Sequence, residues 1–398
     1  MSDLISVEQA VGLLLKNRFP RQSERLPLTE ALGRRLAEPV VAHVAKPPVA
    51  MSAMDGYAVK LSDVQRPGAR LKLIGEAPAG RPFNGTVRTG TAVRIFTGAV
   101  VPEGADHIII QENTERDGDD VICLKATEKP RHIRAAGIDF ELDDPLVSTG
   151  TRLQPAHLSI AAAGNNATVH VETRLRVGLL SNGDELRRPG SDLAPGEITN
   201  SNPFGLAGHI ECWGGQPVML GTACDSIESI HAHMDAAPVD IIVPIGGASV
   251  GDHDYMHDAF SERGFEPVFQ KVAVRPGKPT WFSRKQDQLA LGLPGNPASA
   301  LVCAHLFLAP LLGEDWRYKL VPAKLTRRIE PNGPREHFMR ARLDISDDGE
   351  LMVEPAPSQD SSLLSTFAQY NALLRRLPHD SAAESDARVQ VLPILPIL

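Results

Sequence analysis

The sequence predicts a multidomain α/β plus β protein, and three observations carry that reading. From Leu175 to Ala323, short apolar runs (LRVGLLS, PVMLGTA, DIIVPIG, LALGLPG) alternate with helix-periodic stretches (FGLAGHIECWG, SIESIHAHMDA, NPASALVCAHLFLAPLL). That rhythm predicts a doubly wound parallel sheet. From Val49 to Leu146 the pattern is short β runs punctuated by Gly, Pro and Asp, among them LKLIG, AVRIFTG, HIIIQE and VICLKA. Finally, 398 residues exceed what one hydrophobic core holds, so several domains are expected.

The elements follow in order. Ser6 and Gln9 form a capping-box pattern ahead of the helix VEQAVGLLLKNR, and LTEALGRRLAE reads as a second short helix after Pro27. Pro39, Pro47 and Pro48 end the helical character, which resumes at LQPAHLSIAAAGN. The two helical pieces are expected to pack together as one discontinuous domain, 1–48 and 147–174, with the β domain 49–146 inserted between them. The α/β domain spans 175–323, and HFMRARLDI, ELMVEPA and VQVLPIL predict a small β domain over 324–398.

Composition narrows the function. A formal charge of -8 disfavours nucleic-acid backbones and anionic membranes as partners. The four cysteines, Cys123, Cys212, Cys224 and Cys303, are widely spaced, so neither a zinc knuckle nor a disulfide framework is expected. There is no long apolar span, and the first residues lack the basic start and apolar core of an export signal. A cytoplasmic location fits.

The segment DIIVPIGGASVGDHDY organises the chemistry. Gly246 and Gly247 end a buried strand, and Ser249, Gly251, Asp252 and Asp254 follow within one loop. Such a loop offers amide N–H groups to an anion and carboxylates to a divalent cation, although a tight turn with solvated carboxylates has the same letters. LLSNGDEL places Asp184 and Glu185, and GTACDS places Asp225, at the ends of neighbouring strands. LGLPGNPASA places Asn296 to cap a helix, Pro297 in its first turn and Ser299 beside exposed amides, or is simply a good helix start. In KVAVRPGKPTWF, Lys271, Arg275 and Lys278 lie on a segment stiffened by Pro276 and Pro279. Clustered cations call for an oxyanion, against a solvated basic turn. His253 and His257 have the spacing of a metal pair but lack an evident third ligand. Asp55-Gly56 and Thr97-Gly98 read by themselves as turns.

Together the ordered segments MSAMDGYAV, IFTGAVVPEGAD, AAGIDF, LLSNGDELRRPG, GGASVGDHDY, VRPGKP and LGLPGNPASALV resemble the molybdopterin molybdenumtransferases of the MoeA type, related to the E domains of gephyrin and its plant counterpart. The resemblance covers nearly the whole chain. It implies a MogA-like α/β domain, a helical segment carrying the inserted β domain, a C-terminal β-barrel-like domain, and a homodimer with the active site between subunits. Four departures from the family pattern stand out: Arg275 for lysine, Ile138 before Asp139, Pro244-Ile245 before the double glycine, and Asn182 for threonine.

The implied reaction inserts molybdate into the dithiolene of adenylylated molybdopterin, with magnesium-dependent cleavage and release of AMP. By resemblance, Asp55, Asp139, Glu185, Asp225 and Asp254 are catalytic, and Glu185, Asp225, Asp252 and Asp254 hold magnesium. Thr97, Gly246, Gly247, Ser249, Asp252, Lys271, Pro294, Asn296 and Pro297 bind the pterin substrate, while Arg275, Lys278, Ser299, Arg340 and Ser361 bind molybdate. Asp55, Thr97 and Asp139 are expected from the partner subunit. Implied protein partners are an upstream molybdopterin adenylyltransferase and acceptor molybdoenzymes. Competing readings are a molybdopterin adenylyltransferase, a catalytically silent scaffold, and tungstate in place of molybdate.

Overall fold

The computed structural model describes residues 4–247 and 255–395. The chain forms two compact units, Met1–Arg21 with Arg174–Leu398, and Gln22–Thr173.

The first unit is built on a six-stranded sheet in the order Gln216–Ala223, Arg176–Asn182, Ile241–Ile245, Gln288–Gly292, Trp281–Lys285, Glu266–Phe269. The first four strands are parallel, and Ile241–Ile245 is buried along its whole length, which is why its sequence is a continuous apolar run. The last two strands pair antiparallel, so the sheet is mixed where the sequence predicts a purely parallel one. The cause is local: after Gly264 the chain needs no crossover helix, and Trp281–Lys285 returns to Gln288–Gly292 through a two-residue turn. Strand order reverses at Arg176–Asn182, because the next strand lies on one side of it and Ile241–Ile245 on the other. That reversal opens a crevice at the carboxyl ends of these strands.

Helices Asn202–Cys212, Ile227–Met234 and Tyr255–Glu262 cover the sheet. The apolar stretch after Asn296 is helical but not uniform: Pro297–Cys303 is α, Ala304–Leu308 takes π geometry, and Ala309–Leu312 returns to α. The N-terminal helix Val7–Lys16 begins with the expected capping box, Ser6 Oγ accepting from Gln9 N at 3.1 Å and Gln9 Oε1 from Ser6 N at 2.9 Å. Its buried face, Val7, Ala10, Val11 and Leu14, joins the core of this unit. It therefore packs here and not with the second helical segment, which belongs to the other unit.

The C-terminal region is a closed five-stranded barrel. Glu336–Ile345 pairs with Leu351–Pro355, and the ring continues through Val321–Leu325, Arg388–Pro393 and Ala372–Arg376 back to Glu336–Ile345. A short strand, Val274–Arg275, adds to its rim in parallel with Glu336 and His337. Phe338, Leu373 and Leu392 of the barrel and Phe367 of the helix Leu364–Gln369 belong to the same core as the α/β sheet.

In the second unit, a six-stranded sheet contains Arg70–Ala77, Thr91–Ile95, His107–Ile110 and Asp120–Cys123, the β runs expected of the inserted segment, together with Gly56–Val59, and packs a separate core on each face. The stretch predicted as a second helix, which follows the strand Ser23–Pro27, holds only a single 3-10 turn, Leu28–Glu30, and then runs into bridges from Arg35 to Arg152 and from Leu36 to Val171. Ser23–Pro27 pairs antiparallel with Thr168–Glu172, and its alternating burial leaves no helical face to bury. The expected helix Pro155–Ala163 lies beside this ribbon on a core that includes Leu36, Val40 and Val171. No helix among the described residues is long and apolar enough to cross a membrane.

The π turn places His305 edge-on to His209 and Trp213, at centroid distances of 4.6 and 5.0 Å, with Nε2 buried and unpartnered. Burial, with His209 adding to it, pushes the His305 pKa down to about 3. The neutral ring is therefore the folded form, and the unfolded chain takes up a proton first as pH falls below about 6.5. Stability from this residue is present above that pH and is lost on acidification toward 3. Between pH 7.5 and 5 the loss is on the order of 2 kcal/mol. His305→Gln is expected to show a correspondingly smaller drop in urea-unfolding free energy over that interval, whatever it costs at pH 7.5. An equal drop in both proteins would show that His305 does not control this dependence.

Candidate functional site

The crevice at the strand-order reversal is a cavity of about 730 Å³, within the range of small-molecule sites. Its floor is Ser181 and Asn182 with Ile245, Gly246 and Gly247. Gly246 and Gly247 have φ of +93° and +64°, backbone angles that a side chain strongly disfavours. One wall is Leu186 and the segment from Ile198 to Asn202; the others are Lys271, Lys278 and Pro279, and Pro294 to Pro297 with Ser362.

Asparagines knit these walls together. Asn200 accepts from Ser181 Oγ and donates to Thr222 Oγ1. Asn202 Nδ2 donates to the Gly295 carbonyl at 2.7 Å, and Asn296 Nδ2 to Ser361 Oγ at 3.0 Å. Asn296 stands at the cap position of Pro297–Cys303, but its side chain makes no cap bond; Ser361 takes that amide group and also accepts from Ala298 N through its carbonyl. On the floor, Asn182 Nδ2 donates to Asp225 Oδ1 at 2.6 Å.

The basic segment is held from below. A Cβ on Gly277, at φ +116°, would lie 2.1 Å from Cys303 Sγ. Thr280 Oγ1 donates to the Gly277 carbonyl at 2.8 Å and lies 3.1 Å from Cys303 Sγ. Burial pushes the Cys303 thiol up to about 12, so it packs as a neutral small group. Lys271 and Lys278 reach the cavity wall, whereas Arg275 is exposed at the barrel rim.

Arg340 is 2% exposed, yet its Nε and Nη1 have no hydrogen-bond partner among the described residues. Only Nη2 donates, to the Ser358 carbonyl at 3.3 Å, and the backbone around it is tied to Gln359. Burial lowers its pKa, and Asp360 opposes that shift. His337 is held down to about 3 by burial first, then by Arg275, Arg340, Arg335 and Arg376, which keeps this neighbourhood from gaining a further charge.

In the other unit Asp55 Oδ1 accepts from both the backbone and the hydroxyl of Thr97, at 2.7 and 2.8 Å. Those bonds hold the Asp55 carboxyl below the usual range. Asp139 Oδ2 lies 3.3 Å from Lys46 Nζ.

Of the residues singled out from sequence, Glu185, Gly246, Gly247, Lys271, Lys278, Pro294, Asn296 and Pro297 line the cavity together. Asp225 and Ser361 join it at one remove, through Asn182 and Asn296. Arg275 and Arg340 do not line it, and neither does Ser299, which is buried within its helix instead of lying beside exposed amides. Asp55, Thr97 and Asp139 belong to the other unit. Ser249, Asp252, Asp254 and His253 lie outside the described residues. His257 packs on Trp281 at a centroid distance of 4.8 Å. Sequence reasoning missed the wall Thr199-Asn200-Ser201-Asn202 and Ser362. The first carried a usable signal, a dense run of amide and hydroxyl residues immediately before a helix.

Among the described residues no cluster of three His, Cys, Asp or Glu could hold a metal by itself. Glu185 and Asp225 are hard oxygen donors outside any ion pair among the described residues. Such donors suit magnesium better than a thiophilic metal.

Comparison with known proteins places this geometry. Residues 5–164 match the MoeA N-terminal region (domain I and II), 178–314 a probable molybdopterin binding domain, and 322–394 the MoeA C-terminal region (domain IV). The molybdopterin molybdenumtransferase of Haemophilus influenzae is 34% identical over 381 residues, 93% of this chain and 94% of that protein. Its counterpart in a Nostoc species is 33% identical over 377 residues, 91% of this chain and 86% of that one. A crystal structure of the molybdopterin biosynthesis MoeA protein from Pyrococcus horikoshii is similar, with a TM-score of 0.86 at 27% identity, covering 99% of this chain and all of that one.

The packing of Gly277 against Cys303 generates a double-mutant test. Gly277→Ala should cost about 2–3 kcal/mol, from overpacking and from the positive φ. Adding Cys303→Ala should recover more than half of that loss, since the thiol is the atom in the way. Additive costs in urea unfolding would show that the contact does not shape the segment.

Proposed function

The chain belongs to the molybdopterin molybdenumtransferase family of MoeA proteins, and from that premise we propose that it inserts molybdenum from molybdate into the dithiolene of molybdopterin. The step takes adenylylated molybdopterin as substrate and releases AMP as the phosphoanhydride is cleaved. The protein acts in the cytoplasm as a homodimer, with Asp55, Thr97 and Asp139 of the partner subunit completing the site. An upstream adenylyltransferase supplies the pterin nucleotide, and apo-molybdoenzymes take the product.

The observation that carries this reading is the Arg340 guanidinium, almost fully buried with two nitrogens unpartnered. An uncompensated buried charge costs several kcal/mol, so a site that retains one is built for an anion. The segment beside it runs through Ser361, which Asn296 ties to the cavity, to Ser362 on the cavity wall. Lys278 also lines the cavity. An oxyanion bound between cations and hydroxyls would sit next to the larger cavity that takes the pterin nucleotide.

Glu185 and Asp225, with Asp252 and Asp254, would hold magnesium. When bound, that ion neutralises charge building on the phosphates during cleavage. The carboxylates orient the phosphoanhydride, the Gly246-Gly247 turn lets the substrate approach the backbone, and Lys271 balances the phosphate charge. Lys278 and Arg340 keep molybdate close to the dithiolene sulfurs that bind molybdenum.

The direct test is purified protein with adenylylated molybdopterin, magnesium and molybdate, following AMP release and reconstitution of a molybdoenzyme. Wild type is expected to do both. Glu185→Gln should bind the nucleotide but cleave it at least a hundredfold more slowly, and Lys278→Ala should raise the molybdate requirement more than it slows cleavage. Wild type that binds the pterin but releases no AMP with any divalent cation would overturn the reading.

Arg340→Met separates function from stability. Removing an unpaired buried charge in favour of an apolar side chain of similar size is neutral or stabilising. The variant should melt at or above the wild-type temperature while molybdate affinity falls at least tenfold. A lowered melting temperature with molybdate binding intact would make Arg340 a structural residue.

A further inference from the structure

Asp225 follows the strand Gln216–Ala223 as an exposed residue, a position where a carboxylate samples several rotamers unless something holds it. One neighbour does. Asn182 is the register partner of Ala223 in the parallel ladder, so the fold delivers both side chains to the same end of the sheet. There Asn182 Nδ2 donates to Asp225 Oδ1 at 2.6 Å, while the Asp225 backbone N–H points to Asp184 Oδ1 at 3.4 Å. Among the described residues no hydrogen bond or ion pair reaches the second carboxylate oxygen of Asp225.

The orientation of the amide is set by chemistry. An ionised carboxylate only accepts, so the NH2 group must face it and the amide oxygen must point away. That oxygen, Asn182 Oδ1, is buried and has no partner among the described residues. The fold therefore tolerates an unsatisfied acceptor in order to keep an N–H on Asp225, although an apolar side chain of the same size would pack there without that penalty.

We propose that Asn182 is a positioning residue for Asp225, fixing one carboxylate oxygen so that the other is presented to a divalent cation at the cavity floor. The proposal rests on the reading of Asp225 as a magnesium ligand. Partners of this kind commonly contribute tenfold to a hundredfold to metal affinity when the ligand they hold is flexible.

The test is titration of the full-length protein with Mn2+, followed by the electron paramagnetic resonance signal of the free ion, alongside thermal melting and molybdate binding. Asn182→Leu is expected to weaken Mn2+ binding by about tenfold or more with melting temperature and molybdate affinity unchanged. Asp225→Asn should also weaken it, and the double variant should be no weaker than Asp225→Asn, because Asn182 acts only through that carboxylate. Asn182→Ser, which is too short to reach Asp225, gives the same test should the leucine variant fail to fold. Wild-type affinity in both Asn182 variants, with Asp225→Asn impaired, would overturn the positioning role and leave the metal reading standing. Additive losses in the double variant would overturn it as well. Wild-type affinity in Asp225→Asn would remove the metal reading, and the proposal with it.

Discussion

A single apolar core joins the N-terminal helix, the α/β sheet and the C-terminal barrel of the first unit. Val11 and Leu14, Val243 and Leu291, and Phe338 and Leu373 all belong to it. Each such side chain contributes roughly 1.5–3 kcal/mol on burial. Three segments of the cavity wall are fastened to this core. Val274 anchors the segment that carries Arg275 and Lys278, Leu301 and Cys303 anchor the helix behind Asn296, and Phe367 anchors the stretch that follows Ser361 and Ser362. These loops are thus positioned by burial of their neighbours, while side-chain hydrogen bonds such as Asn296 to Ser361 tie them to one another.

Against that background, the unpartnered buried polar atoms among the described residues belong to Asn182, Trp281, His305, His337 and Arg340. Arg340 keeps two of these atoms and Asn182 one; Asn182 lines the cavity, and Arg340 bonds to Ser358 of the segment that runs on to Ser362 in its wall. Buried polar groups are almost always satisfied, because leaving one unpaired costs about 1–3 kcal/mol and a charge costs more. The sheet can carry these deficits because its apolar strands and helices supply stability elsewhere. His305 is another kind of exception, a neutral ring among aromatics that links the helix behind Asn296 to Trp213 and Phe367 rather than meeting a ligand.

The parts of the site that were readable were those encoded within one short segment. The buried strand ending at Gly246-Gly247 announced itself through an unbroken apolar run followed by glycines. The basic segment around Lys278 announced itself through charge between prolines. Asn296 was readable as a helix start, but its bond to Ser361 was not, because Ser361 is supplied by a distant part of the chain. The helix expected over LTEALGRRLAE failed for the same reason: Arg35 and Leu36 bridge to Arg152 and Val171, far along the chain, and only the turn Leu28–Glu30 is helical. Likewise Val321–Leu325 and Ala372–Arg376 were passed over, since neither is a strand of note until the barrel closes around it.

By itself, then, the sequence determined the class of most strongly periodic elements, the family, and eight of the twenty residues that line the cavity. These depend on local patterns of side-chain polarity and backbone freedom, which operate over a few residues. Only the tertiary structure decided that the N-terminal helix joins the α/β core, that the sheet ends in antiparallel strands, and that Asn182 meets Asp225. It also decided that Arg340 is buried without enough partners. Those facts arise from pairing and packing between segments far apart in the chain, where the free energy of a contact depends on which surface arrives opposite it.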